Sequence, residues 1–360
     1  MGEWLLANAL GGYALGPRSG PPTRGYHGWL IAATTPPDGR RLMVGAIETT
    51  AIIDGREHRI EEIDLAPGVA VRDGVEVRLE AWMPRETNAI VLRWTRTDAA
   101  GASLRLRLVP LLAGRDHHPG GDGPEPAMLT TQLSGDERQA VVSWPPDHDV
   151  PPLRIAVDEG RLMRDERTIW VDYPEEVARG TATGERLQTS IALEADLPPG
   201  GSVSLVIGVE AGSRLALPAP ATVRSVASAA AARARLLLDQ AGPAGDDPRV
   251  AALVLAADRF LVHRPDPRAE DPAQGVTVIA GYPWFGDWGR DSMISLPGLT
   301  LATGRHDEAR RILRTWAALV RDGLLPNHFP EAGVPAYHAS ECRCLSAARS
   351  AGRVPSPAPR

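Results

Sequence analysis

At Leu217-Pro-Ala-Pro220 the hydrophobic period of this 360-residue chain changes, and that change limits the fold more than any other feature. Before it, apolar and polar residues alternate, as in a strand with one buried face. After it, apolar residues recur at three and four positions, as in a helix lying on a core. A β part followed by an α part is therefore expected. Strands are predicted at 28–34 and 41–53, leading into Asp54-Gly55 and then 56–60, while a second Asp-Gly at 73–74 splits 69–72 from 75–79. Asp-Gly between apolar runs favours a two-residue hairpin, because both residues tolerate positive φ. Alternation continues at 89–95 and at 104–109, where leucine and valine alternate with arginine. Further strands are expected at 140–144, 153–157, 168–171, 190–193 and 203–209. Ten or more short strands at this spacing predict a large antiparallel sandwich, not βαβ units.

Beyond residue 220 the alanine-rich stretch 222–240 predicts a helix. Asp247 is placed to cap a second one with Pro248 at its first position, and Val250, Leu253, Val254, Ala257, Phe260 and Leu261 would share its apolar face. A third helix is predicted over 290–302 with a kink at Pro297. Asp307 is expected to cap a fourth, with the stripe Ala309, Ile312, Leu313, Trp316 and Val320 and a stop at Gly323.

Composition narrows the function. The net charge is −6 and every basic residue is arginine, with no basic stripe of the kind that nucleic-acid binders carry. Apolar runs such as 251–257 fall well short of the ~20 residues that span a bilayer. The N-terminus lacks a basic region and is broken by Gly11-Gly12, so a cytoplasmic protein without membrane or nucleic-acid partners is expected. The cysteines, Cys342 and Cys344, form neither a disulfide framework nor a paired zinc motif, and no metal or cofactor is expected.

The stretch carrying chemistry is Gly281–Ser292, GYPWFGDWGRDS. In a chain with 9 Trp, 5 Tyr and 3 Phe, it gathers Tyr282, Trp284, Phe285 and Trp288 beside Asp287, Arg290 and Asp291. Flat indoles cover the CH face of a sugar, and carboxylates with a guanidinium fork bind its hydroxyl rim through charge-assisted hydrogen bonds. The alternative is a buried aromatic loop in which Arg290 pairs with an aspartate for structure alone.

The string Trp284-Phe-Gly-Asp-Trp-Gly-Arg-Asp291, followed by Met293-Ile-Ser-Leu-Pro-Gly-Leu299, resembles the bacterial and archaeal glycogen-debranching amylo-α-1,6-glucosidase family. Leu324-Leu-Pro-Asn-His-Phe-Pro330 is similar to that family's next loop. Glu3-Trp-Leu-Leu-Ala-Asn-Ala-Leu-Gly-Gly-Tyr13 with Thr23-Arg-Gly-Tyr-His-Gly28 is similar to its N-terminal domain. The resemblance covers about residues 3–337. It implies an N-terminal antiparallel β-supersandwich (1–217), a linker helix (218–245) and the first helices of an incomplete (α/α)6 toroid (246–337). The implied activity is inverting removal of α-1,6-linked glucose from branched α-glucan such as glycogen or limit dextrin. By this resemblance Arg290 and Asp291 grip the terminal glucose and Trp284 and Trp288 form its stacking wall. Asp287, Asn327 and Tyr337 are further candidates for substrate contact. The catalytic residues are not identified: Asp291 and Asp287 are the candidates in hand, and the family's acid and base are expected in later loops. Arg24 and His27 are expected to be structural.

From 338 to 360 the chain is rich in Arg, Ser, Ala and Pro and lacks periodicity, a composition expected of disorder and also of a GC-rich gene read out of frame. Glu341-Cys-Arg-Cys-Leu345 can be encoded so that a one-base shift reads Ser-Ala-Asp-Ala-Ser, the pattern that the family shows here. The expectation is a truncated or frame-shifted fragment without its acid and base. The alternatives are a non-catalytic glucan-binding fragment and another (α/α)6 hydrolase of glucoamylase type.

Overall fold

The computed structural model describes residues 2–60, 68–72, 75–99, 101–118, 125–209, 221–265, 275–321, 324–328 and 336–337. Two units emerge: residues 1–35 with 39–232, and residues 36–38 with 233–360. The boundary falls inside one helix.

The first unit is an antiparallel sandwich. Its strands are β1 (Glu3–Ala7), β2 (Tyr13–Pro17), β3 (Gly28–Thr35), β4 (Asp38–Ile53), β5 (Arg56–Ile60), β6 (Gly68–Arg72), β7 (Val75–Trp82), β8 (Ala89–Arg96) and β9 (Leu104–Asp116). After these come β10 (Thr130–Leu133), β11 (Gln139–Ser143), β12 (Leu153–Val157), β13 (Arg161–Arg164), β14 (Thr168–Asp172), a short helix α1 (Pro174–Arg179), β15 (Gly184–Gln188), β16 (Ile191–Asp196) and β17 (Ser202–Val209). One sheet has seven strands in the order β10-β11-β12-β17-β8-β7-β6. The other has ten, with the path β1-β2-β3-β4-β9-β15-β14 and β5, β13 and β16 attached beside it. Between β4 and β5, Asp54 and Gly55 both take positive φ (47° and 82°), as the hairpin signal requires. The 73–74 turn lies outside the described residues.

Alternation explains the core. On β9, Leu104, Leu106 and Leu108 point into a cluster with Ile90, Leu92 and Trp94 of β8 and Val203, Leu205 and Ile207 of β17. The arginines between those leucines face directly across to acids on β16, Arg105 to Asp196 and Arg107 to Glu194. Beyond the sandwich, α2 (Ala221–Ala241) lays Val223 on Val91 and Val206.

The second unit contains α3 (Pro248–Asp258), β18 (Leu261–His263), β19 (Val276–Val278), α4 (Gly289–Leu299) and α5 (His306–Ala318). Its core joins Leu261, Val276, Val278, Leu296, Ala309, Ile312, Trp316 and Leu325. Asp247 caps α3 as expected, accepting from the Arg249 amide at 2.8 Å. Four local expectations are corrected. The helix α3 ends at Asp258, so Leu261 belongs to a strand, and Leu253 of its supposed inner face is 70% exposed. Helix α4 stops at Leu299, soon after Pro297, whose missing N–H interrupts the ladder. Asp307 is not the cap of α5: Arg305 precedes that helix, and Asp307 sits in its first turn, paired to Arg310. Leu313 turns outward, and Thr315 takes the buried place instead, accepting from the Val276 amide at 3.1 Å.

Buried Arg305 ties this unit together through Asp258 (2.9 Å) and Glu308 (3.1 Å), while Arg233, midway along α2, also reaches Asp258 (2.7 Å). Among the described residues no helix is long and apolar enough to cross a membrane, and no group of three or more His, Cys, Asp or Glu could hold a metal ion.

Candidate functional site

The aromatic stretch forms a closed loop between β19 and α4. Ile279 bridges Asp287, the Ala280 amide donates to the Gly286 carbonyl (2.9 Å), and the Phe285 amide donates to Gly281 (2.9 Å). The chain then passes through Trp288 into the first turn of α4, where the Ser292 amide donates to the Trp288 carbonyl at 2.8 Å.

Glycine at 289 is a steric requirement. A Cβ there would overlap the Pro326 carbonyl oxygen and press on the Trp316 ring. This close approach lets the Gly289 amide donate to the Asn327 carbonyl (2.8 Å), and Trp288 bridges His328, which in turn bridges Ala336. Three segments distant in sequence thus meet: 281–291, 324–328 and 336–337. The His328 ring stacks on Trp288 with centroids 4.7 Å apart and planes 18° apart, and Phe285 meets the same indole edge-on at 6.1 Å.

The charged residues divide into two environments. Asp287 is fully buried, and both of its oxygens are held by Arg264, from Nε at 2.5 Å and from Nη2 at 2.8 Å. The same Nη2 donates to Asp38 at 2.9 Å, a residue of the short 36–38 stretch counted with this unit. Burial works against the charge on Arg264, but Asp287 and Asp38 outweigh it and lift the guanidinium pKa above its ordinary value. Arg290 and Asp291, by contrast, stand at the open start of α4 with side chains 47% and 41% exposed and 3.9 Å apart.

Of the expected site residues, Trp284 is half-buried in the loop, and Trp288, Arg290 and Asp291 cluster at the helix start. Asp287 points inward, where its observed partner is arginine. Asn327 lies beside Trp288 in the bridged segment, and its enclosed Oδ1 has no hydrogen-bond partner among the described residues. The Tyr337 hydroxyl donates to the Leu319 carbonyl at 2.6 Å and its ring lies under Arg321, so its visible contacts are with the end of α5. Sequence reasoning missed Arg264 and Asp38, which carry no motif. His328 sits in the 324–330 string with no expected role, although a histidine among aromatics is a usable signal.

The sandwich places Arg24 and His27 as bracing residues. Arg24 pairs with Glu3 (2.8 Å) and Glu175, and His27 Nδ1 accepts from the Thr23 amide, leaving Nε2 to donate to Glu3 at 3.0 Å.

A family model described as glycogen debranching enzyme N terminal matches residues 2–74 and 69–204, and one described as amylo-α-1,6-glucosidase matches 255–348. The second match runs past residue 337, where the resemblance was expected to stop. The glycogen debranching enzyme of Saccharomyces cerevisiae is 38% identical over 76 residues, 19% of this chain and 5% of the yeast protein. Among solved structures, a bacterial glucoamylase complexed with acarbose aligns over 93% of this chain and 56% of its own, with a TM-score of 0.50 and 13% identity. A polysaccharide lyase aligns over 58% of this chain and 31% of its own, with a TM-score of 0.30 and 10% identity. The glucoamylase likeness concerns the fold: strands first, then helices.

Proposed function

Since the two family models together match well over half of its residues, the chain belongs to the glycogen debranching, amylo-α-1,6-glucosidase family, and we propose that the 281–291 loop grips the terminal glucose of a branched α-glucan for hydrolysis of its α-1,6 linkage. The observation that carries this reading is the juxtaposition at the start of α4: stacked Trp288 and His328, solvent-facing Phe285, and the accessible pair Arg290 and Asp291. Aromatic faces beside a charged fork fit the two surfaces of a pyranose.

In this reading Trp284 and Trp288 supply the wall, and Arg290 donates to ring hydroxyls. Asp291 accepts from them at the open start of α4. Asp287 braces the loop through Arg264 and does not touch sugar, because both of its oxygens are already held. Asn327 and Tyr337 shape the floor on which the loop rests. Inverting hydrolysis needs a protonated acid and a base roughly 6.5–9.5 Å apart. Both oxygens of Asp287 are held by Arg264 and Asp291 is taken up by sugar hydroxyls in this reading, so we assign the acid to neither.

Titration of the chain with panose, which carries one α-1,6-linked glucose, tests the assignment. Asp291→Asn and Arg290→Lys should each weaken binding about ten- to a hundredfold at unchanged melting temperature. The first loses a charged acceptor and the second the planar fork. Unchanged affinity in both variants would remove the loop from the sugar site. So would variants that melt early and bind normally.

A further inference from the structure

We propose that the sandwich carries a second carbohydrate site, separate from the 281–291 loop: a cleft of about 360 Å³ that holds a neutral α-glucan chain against tryptophans. Its volume lies within the roughly 300–1,000 Å³ of small-ligand pockets. Trp4, Trp29 and Trp170 line it, together with Glu48 and Asp172.

The indoles are held in place by the strands around them. Trp4 lies across Gly16 on the neighbouring strand, where a Cβ would come within 2.6 Å of the ring, and its centroid is 4.8 Å from that of Trp29. Trp170 leans on Gly184 and Arg186 of β15, and its Nε1 donates to Asp172 at 2.8 Å. Among the described residues Trp170 (42%) and Phe285 (48%) are the two aromatic side chains most open to solvent. Phe285 belongs to the sugar-gripping loop, whereas Trp170 has no role there. The open indole of Trp170, beside partly buried Trp4 and hydroxyl-binding acceptors, suits a sugar with a CH face and a hydroxyl rim. Arg59 also lines the cleft and pairs with Glu48 (3.5 Å), which Arg167 meets as well (3.2 Å), so the charges there are largely balanced within the protein and suit a neutral sugar. The α-linkage of the ligand rests on the family reading above; the sugar-binding character of the cleft does not.

The test uses the intact chain carrying Trp288→Ala, which silences the loop, titrated with maltoheptaose and with cellohexaose. Residual binding of maltoheptaose is expected. Trp170→Ala should weaken it about tenfold or more at unchanged melting temperature, Trp170→Phe less so, and Glu48→Gln measurably. Absence of residual binding, or binding indifferent to Trp170→Ala and Glu48→Gln, would overturn the cleft while leaving the loop reading intact. Equal binding of cellohexaose, lost on Trp170→Ala, would support the cleft and overturn its α-glucan assignment.

Discussion

Residue by residue, the candidate site depends on a few positions that tolerate no replacement. Asp287 and Arg264 form a buried pair, and removing one partner leaves the other charge without compensation, at a cost of about 3–5 kcal/mol. Asp287→Ala should therefore lower the urea midpoint strongly, and Asp38→Asn, which spares the two-point contact, should lower it less. Equal effects would mean that Arg264 is held mainly by Asp38. The His27 and Glu3 pair predicts a pH response. Burial, its largest influence, holds His27 below the ordinary 6.5 against the opposing pull of Glu3. Burial raises Glu3, but hydrogen bonds from Arg24 and His27 outweigh it and keep the carboxyl below 4.5. Both folded values lie under the unfolded ones, so each contribution is present above the unfolded value and is lost as pH falls. Stability should decline from about pH 6.5 downward and again below 4.5. His27→Gln should flatten the first part of that decline in melting curves recorded from pH 7.5 to 5. A wild-type curve with no slope there would contradict the assignment.

At the scale of elements, what could be read from the sequence follows from how locally each element is specified. Strands β5, β7, β8, β12 and β17 were legible because a period of two, or a turn dipeptide, fixes them without outside help. Strands β1 and β2 were not: after Glu3, Trp4-Leu-Leu-Ala7 runs apolar without alternation, and Gly16 replaces a side chain to make room for Trp4. Polar β13 and β15 exist only through their partners, β16 in one case and β9 and β14 in the other. The same division governs the site. Aromatic density marked 281–292, but Arg264 reaches Asp38 across 226 positions and Asp287 across 23, and no window along the chain contains such a pairing. Cap and core still separate in experiment. Asp247→Ala should cost α3 about 0.5–2 kcal/mol. Trp316→Ala, at the centre of the second core, should cost about 3–5 kcal/mol. Denaturant midpoints of both variants give the ranking, and a larger loss from the cap would show that the second unit is loosely packed.

At the scale of the whole molecule, two cores share one chain. The sandwich cluster around Leu92, Leu106 and Leu205 and the helical cluster around Ile312 and Trp316 have no residue in common. Cooperativity depends on surface that is buried jointly, and chains with separate cores depart from two-state behaviour. Calorimetry should therefore show two transitions. Trp94→Ala, fully inside the first cluster, should lower one of them, and Trp316→Ala should lower the other. Ligands add an independent handle, since a molecule that binds only the folded form raises the transition of the unit holding it. Panose should move the transition sensitive to Trp316→Ala. Maltoheptaose in a Trp288→Ala background should move the one sensitive to Trp94→Ala. A single peak displaced equally by both core variants and by either sugar would mean that the units unfold together, and that the two proposed sugar sites report to one cooperative body.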